Sequence, residues 1–386
     1  MKPYLRQERI WKTLCFLFHP LLRKNLHVEA ESLPDISPVF LICNHVTNLD
    51  PILLSLSSPR RLLIYVASEN ILRNSPLLRR LLYWFFSPIS RRKGASAVDT
   101  CRKIIRTLRS GKSVCLFAEG ETTWNGKTGP VKSGTDVLVR ASGAPLVTYC
   151  FEGGYCTSPR WGRGLRRGKM TGRVTGVYSP DQIRSMSDEE LRSVIENGIR
   201  EDAFLRQHQE HVVYRGKHMM DQAEILLFLC PHCRRIGTLR GKDRQVSCPC
   251  GFSVTFDDCM LPSGPSPYSD LCAWDEWQTS AFADMIAEKT IQEIHDDQEK
   301  LLLWEIHPDN TMHLASQGGI CMNRDEMSIG PMHFPLSEIP DIALLQNRKA
   351  AFSCQNRYYE LQSPRALCLR KYRLFWQCIT HLADQT

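Results

Sequence analysis

The sequence predicts an α/β fold: a largely buried sheet flanked by helices, then a cysteine-bearing unit and a small β-rich domain. Three observations carry this reading. Continuous apolar runs PVFLICN (38–44), SVCLFAEG (113–120) and APLVTYCF (144–151) lack clean alternation, as strands covered on both faces do. Segments of helical pattern separate these runs. Two cysteine pairs, and short apolar runs between turn signals from residue 301 onward, mark a change of architecture.

Residues 1–25 read as an amphipathic helix or helix pair broken at Pro20. Ile10, Leu14, Leu17 and Phe18 sit at helical spacing beside Trp11, with Lys2, Arg6, Arg9 and Lys12 interleaved. Such a helix either lies in a lipid headgroup boundary or packs on the core. PVFLICN is a strand that turns through HVTNLD, and Pro51 suits the first position of a helix capped by Asp50. RLLIYVA (61–67) is a further strand, Thr100–Ser110 a helix ended by Gly111, and TDVLVRAS (135–142) a helix. Ser187 and Glu190 form a capping box for a surface helix over 187–202. Domain boundaries are expected at 1–215, 222–260, 261–300 (linker and acidic helix, the helix over 272–300) and 301–386, the last closed by a helix at 365–380.

At 386 residues, two or three domains are expected. The net charge of +8 is uneven: residues 60–109 hold twelve Lys/Arg against Glu69 and Asp99, whereas residues 275–300 hold eight acids against Lys289 and Lys300. The basic half suits an anionic partner. Sixteen cysteines do not make this a secreted disulfide protein. The N-terminus has no uninterrupted apolar core and no small-residue cleavage site, so a reducing compartment is expected. No run reaches the roughly 18 apolar residues of a spanning helix.

His45 and Asp50 stand in the pattern H-x4-D. On a helix they would lie about 140° apart, so the turn between strand and helix must bring them together. About seventy residues later a second buried strand ends in Phe117-Ala118-Glu119-Gly120. Strand–Asn44-His45-x4-Asp50-Pro51–helix followed by this block resembles the glycerolipid acyltransferases, the 1-acyl-glycerol-3-phosphate acyltransferase family, across residues 35–155. The resemblance implies acyl transfer from a thioester, carried by coenzyme A or acyl carrier protein, to a lysophospholipid hydroxyl. His45 would be the general base and Asp50 its orienter, as in a serine hydrolase triad with the substrate hydroxyl in place of the serine. It further implies an acceptor site formed by Asn44, Glu119, Gly120, Lys132 and either Arg91 or Arg92. Gly134 and Pro145 also match the family pattern. The chain departs from that pattern in reading FAEGETT where FPEGTR is usual. Thr122 replaces an arginine that holds phosphate, and Lys127, Lys132 or an arginine of 160–173 is left to substitute. Otherwise the acceptor is another lysolipid or a glycolipid. The implied location is the cytoplasmic, inner face of an anionic membrane, as a monotopic protein.

Cys230-x2-Cys233 and Cys248-x-Cys250 have the spacing of a four-thiolate zinc site and resemble the knuckles of zinc ribbons. A full protein ligand set makes the metal structural. The competing reading is a non-catalytic lipid- or nucleic-acid-binding protein built on that ribbon, although nucleic acid is not the expected partner. The C-terminal module resembles a pleckstrin-homology-like barrel.

Overall fold

The computed structural model describes residues 2–73, 80, 83–84, 87–91 and 97–383. Packing divides the chain into two units. The first runs from the N-terminus to Lys217 apart from two short segments, and the second is essentially His218–Thr386.

The first unit is built on a seven-stranded sheet. Its strands are β1 (Val28–Ala30), β2 (Phe40–Cys43), β3 (Ile64–Ser68), β4 (Ile89–Arg91), β5 (Val114–Phe117), β6 (Leu146–Glu152) and β7 (Met170–Tyr178), in the order β1-β7-β6-β2-β5-β3-β4. All pairings are parallel except β6 with β7. The continuous apolar runs are explained by burial on both faces. Leu41 and Cys43 of β2 join Val147, Tyr149 and Phe151 of β6 on one side, together with Leu53, Leu54 and Leu56. Phe40 and Ile42 face the other side with Ile104, Leu108, Leu138, Val139 and Ile195. Those residues come from helices Val98–Arg109, Thr135–Ser142 and Asp188–Gly198. The last of these carries the capping box of Ser187 with Glu190.

One expectation for the first unit is corrected, and the structure supplies what the pattern left open. The N-terminal helix, α1 (Lys2–Leu26), is continuous through Pro20. Its face at Phe16 is 81% exposed, so solvent can satisfy the carbonyl that proline leaves without a donor. Trp11, read from sequence on the apolar side of that helix, is buried with Cys15 and Leu62 and donates to Ser58 O at 3.0 Å. Phe16, Leu17 and Phe18 remain exposed. The strands β1, β4 and β7 were not anticipated; β7 starts inside a Gly- and Arg-rich stretch, residues 153–173, that masks its pattern.

The second unit starts with a buried run, Leu226–Leu229, that leads into Cys230. Three short antiparallel strands follow: β8 (Arg240–Lys242), β9 (Gln245–Ser247) and β10 (Ser253–Thr255). Helix α2 (Leu271–Ala287) ends well before residue 300, contrary to the expected acidic helix over 272–300. Lys289 takes a left-handed φ of 60°, which stops the helix, and the chain continues as β11 (Ile294–Ile306). Two of the short apolar runs expected after residue 301, at 312–315 and 320–324, meet in one strand, β12 (Met312–Met322). With β13 (Glu326–Ile329), β14 (Met332–Pro335), β15 (Ile342–Leu345), β16 (Lys349–Cys354) and β17 (Arg357–Gln362), these form an antiparallel sheet ordered β14-β13-β12-β11-β17-β16-β15. Helix α3 (Arg370–Ala383) follows the last strand. The two helices and the cysteine segment form one core: Phe228 packs edge-on to Phe282, Phe282 meets Phe375 of α3, and Gln278 accepts from the N–H groups of Phe228 and Leu229.

Candidate functional site

Strands β2 and β5 are parallel neighbours with Cys43 opposite Phe117. Two residues beyond that pair, on each strand, come His45 and Glu119. Both therefore emerge at the carboxyl end of the sheet, where open α/β sheets bind their ligands.

The turn after β2 folds onto a single carboxylate. Asp50 is fully buried, and its Oδ2 lies 2.8 Å from His45 Nδ1. The same carboxylate accepts from the Val46 N–H at 2.7 Å, the Thr47 N–H at 3.0 Å and the Thr47 hydroxyl at 2.8 Å. Asp50 does not cap the helix it opens. Leu49 is the cap residue, without a side-chain bond, and Asp50 is the first residue of the helix Asp50–Leu53. The reason is geometric: its side chain points back into the turn, where four donors converge. The His45 ring stacks on Phe117 with centroids 4.3 Å apart, and its side chain is 19% exposed. Nε2 makes no hydrogen bond among the described residues. The arrangement can therefore accept a proton at Nε2 while Asp50 holds the ring tautomer and stabilises the imidazolium.

Asn44 is also fully buried. Its Nδ2 donates to Phe151 O at 2.8 Å and its Oδ1 accepts from Phe151 N–H at 2.8 Å. Expected as an acceptor residue, it extends the β2–β6 pairing through its side chain and so fixes where β2 ends. Glu119, likewise expected at the acceptor, is 4% exposed. Its Oε1 accepts from the His45 N–H at 2.6 Å and its Oε2 from the Gly129 N–H at 2.7 Å. Burial pushes its carboxyl up to about 8, against those two donors, which favour the anion. Gly120 has a left-handed φ of 74°, and Lys132 lies exposed beside it, its Cε 3.3 Å from where a Cβ on Gly120 would stand.

Arg91 ends β4, three strands from β2 and so about 14 Å away across the sheet. Arg92 lies outside the described residues. Thr122, at the position of the missing arginine, is buried. Arg160 reaches this loop: its Nη1 is 2.7 Å from Glu121 Oε2 and donates to Thr122 O at 3.1 Å, and its guanidinium lies 3.9 Å over the Trp124 ring. The side chain is 2% exposed, so this cation is committed to the loop itself.

Cys230, Cys233, Cys248 and Cys250 converge, with all four sulfurs within 4.8 Å of one another. Cys230 to Cys250 and Cys233 to Cys248 are each 3.8 Å. This is too long for a disulfide, and it equals the edge of about 3.8 Å of a tetrahedron with Zn–S bonds of about 2.3 Å. Thr238 Oγ1 lies 3.2 Å from Cys248 Sγ. Burial raises the Cys248 thiol, but hydrogen bonds from the Cys250 N–H and the Thr238 hydroxyl outweigh it and hold the thiol at about 7. The set fits a structural zinc.

Thr47, Phe117, Gly129 and Thr238 were not anticipated. Thr47 sits inside the H-x4-D motif, where its bond to Asp50 could have been guessed. Gly129 joins only through the return of a loop, which spacing does not reveal.

Residues 25–152 match the family model described as Acyltransferase. That segment holds His45, Asp50 and Glu119, and it covers less than half of the chain. Among solved structures, the chain is similar to the 1-acyl-sn-glycerophosphate (LPA) acyltransferase, PlsC, from Thermotoga maritima. The identity is 21%, the match covers 53% of this chain and 80% of that one, and the TM-score is 0.42. No curated protein matches the chain.

Proposed function

We propose that the protein is an O-acyltransferase that moves a fatty acyl chain from an acyl thioester to the free hydroxyl of a lysolipid. The observation that carries this is the His45–Asp50 pair, with Nε2 open at the carboxyl end of the sheet. The Acyltransferase match over the same residues supports it. His45 Nε2 takes the proton as the hydroxyl oxygen attacks the thioester carbonyl. The C–S bond then breaks, and the leaving thiolate recovers the proton from the imidazolium, which Asp50 stabilises throughout. The ester and the free thiol account for every atom.

The acceptor first proposed is 1-acyl-glycerol-3-phosphate, giving phosphatidate. Lys132, exposed beside Gly120, is the proposed contact to its phosphate. A second reading is another lysolipid or a glycolipid, favoured by the burial of Thr122 and the commitment of Arg160 to Glu121. The donor is coenzyme A or acyl carrier protein thioester. The exposed Phe16, Leu17 and Phe18 of α1, with the basic segment at 60–109, would rest on an anionic leaflet at the cytoplasmic face. Among the described residues no helix is long and apolar enough to cross a membrane.

For the second unit we propose a zinc held by Cys230, Cys233, Cys248 and Cys250, supplying a fixed tetrahedral crosslink. Beside it stands a docking module of pleckstrin-homology-like form. A four-strand meander, a three-strand meander and a closing helix support that likeness. An acyl-transfer assay tests the catalytic reading, with a panel of lysolipid acceptors and both donor types supplied in mixed micelles. Ester formation with at least one lysolipid is expected, and none with any acceptor–donor pair would overturn it.

A further inference from the structure

Glu119 spends both carboxylate oxygens on main chain. At the ends of β2 and β5 the ladder of hydrogen bonds stops, and the N–H of His45 would be left buried without a partner. Glu119 Oε1 takes it at 2.6 Å. On the other side of the same residue, His45 O accepts from the Thr123 N–H at 2.8 Å. The loop that supplies both contacts is tied back at its far end, where Gly129 N–H donates to Glu119 Oε2 at 2.7 Å. Within the loop, the Thr123 hydroxyl donates to Lys127 O at 2.6 Å and accepts from the Gly126 N–H. Both peptide groups flanking the His45 Cα are therefore gripped by one loop, and Glu119 closes it.

A residue that binds the acceptor must turn an oxygen toward solvent. Glu119 is 4% exposed and has both oxygens engaged. We infer that Glu119 is a positioning residue that clamps the main chain of His45, not a ligand of the acceptor. The inference rests on the reading of His45 as the base. Both N–H bonds, at 2.6 and 2.7 Å, lie at the short end of the usual range, and a base displaced by about 1 Å can lose roughly 10²-fold in rate. Buried geometry, with no substrate contact, would then set the reach of Nε2.

The test joins kinetics to a spectroscopic readout on the full chain. In protein labelled with 15N-histidine, the His45 amide is identified by its loss in His45→Asn. Its proton is expected well downfield in the wild type and back in the ordinary range in Glu119→Gln, whose amide cannot accept both N–H groups. With 1-oleoyl-glycerol-3-phosphate and oleoyl coenzyme A as probes, kcat should fall about 10²-fold while KM for the acceptor stays within about threefold. Glu119→Asp keeps the carboxyl group but is too short to span both donors, and should lose kcat in the same way. An ordinary His45 amide shift in the wild type would overturn the clamp. So would a Glu119→Gln variant that keeps kcat and raises KM, because that is the behaviour of an acceptor ligand. The wild-type shift decides the matter if the variants do not fold. If His45→Ala keeps its activity, the base reading falls, while the amide shift still reports on the clamp.

Discussion

Asp50 opens a helix but turns its carboxylate away from it, so that Oδ2 meets His45 Nδ1 at 2.8 Å inside the preceding turn. One buried anion thus organises the turn and orients the ring. Asp50→Asn offers one oxygen and two N–H donors where four donors converge. Acyl transfer should fall by about 10²–10⁴-fold, the range that follows loss of an orienting carboxylate. Stability should fall by roughly 2–4 kcal/mol as buried donors lose their acceptor. Urea unfolding and steady-state rates check both. A fully stable Asp50→Asn variant would fit a cap role instead.

Gly154 lies against the same turn. A Cβ there would stand 2.5 Å from Val46 Cγ2 and 3.3 Å from Thr47 Cγ2. Valine is stiff about its first side-chain torsion, so the turn itself must shift. Gly154→Ala should cost about 1–3 kcal/mol and lower kcat without raising KM in proportion. Unchanged kcat would mean that the turn tolerates displacement.

The four thiols should hold one zinc per chain, counted by elemental analysis of protein purified without chelator. Cys230→Ser should lose it. Thr238→Val removes the hydroxyl 3.2 Å from Cys248 Sγ and should weaken zinc affinity by about tenfold in competition with a chromogenic chelator. Protein without zinc would remove the metal from the account.

Glu201 is 5% exposed, accepts from the Gly153 N–H at 3.1 Å and lies 3.4 Å from Arg206. Burial pushes its carboxyl up to about 7 from the ordinary 4.5, against the pull of Arg206. The folded state therefore keeps this proton where the unfolded chain has lost it. The group's contribution is fully present below 4.5 and is lost as pH rises through about 7. Glu201→Gln removes that dependence. The difference in unfolding free energy should move in the variant's favour by roughly 3 kcal/mol on going from about pH 5 to about pH 8. A difference that does not change with pH would contradict the raised value.

The central strands were legible because burial on both faces writes an unbroken apolar run, as in Phe40–Cys43. The helix Thr135–Ser142 and the Ser187–Glu190 capping box were legible because their signals are local. β7 was not, since its pairing with β6 is set by distant residues while the segment it starts in, 153–173, is crowded with Gly and Arg. The helix at 271–287 was overextended because acidic residues persist into β11, and charge does not distinguish a helix from a strand edge. At the site, residue types and spacing pointed to His45 and Asp50 but not to the direction of the Asp50 carboxylate. Asn44 and Glu119 were expected to face a substrate. Their burial is a property of how β2, β5 and β6 end together, which no single stretch encodes.

The central claim is that His45 is the base. Its most direct test is the acyl-transfer rate of His45→Ala beside wild type, on the best acceptor of the lysolipid panel, with far-ultraviolet circular dichroism to verify folding. The account predicts a folded variant slowed by about 10²–10⁴-fold. A folded variant that keeps its rate within about tenfold would contradict it.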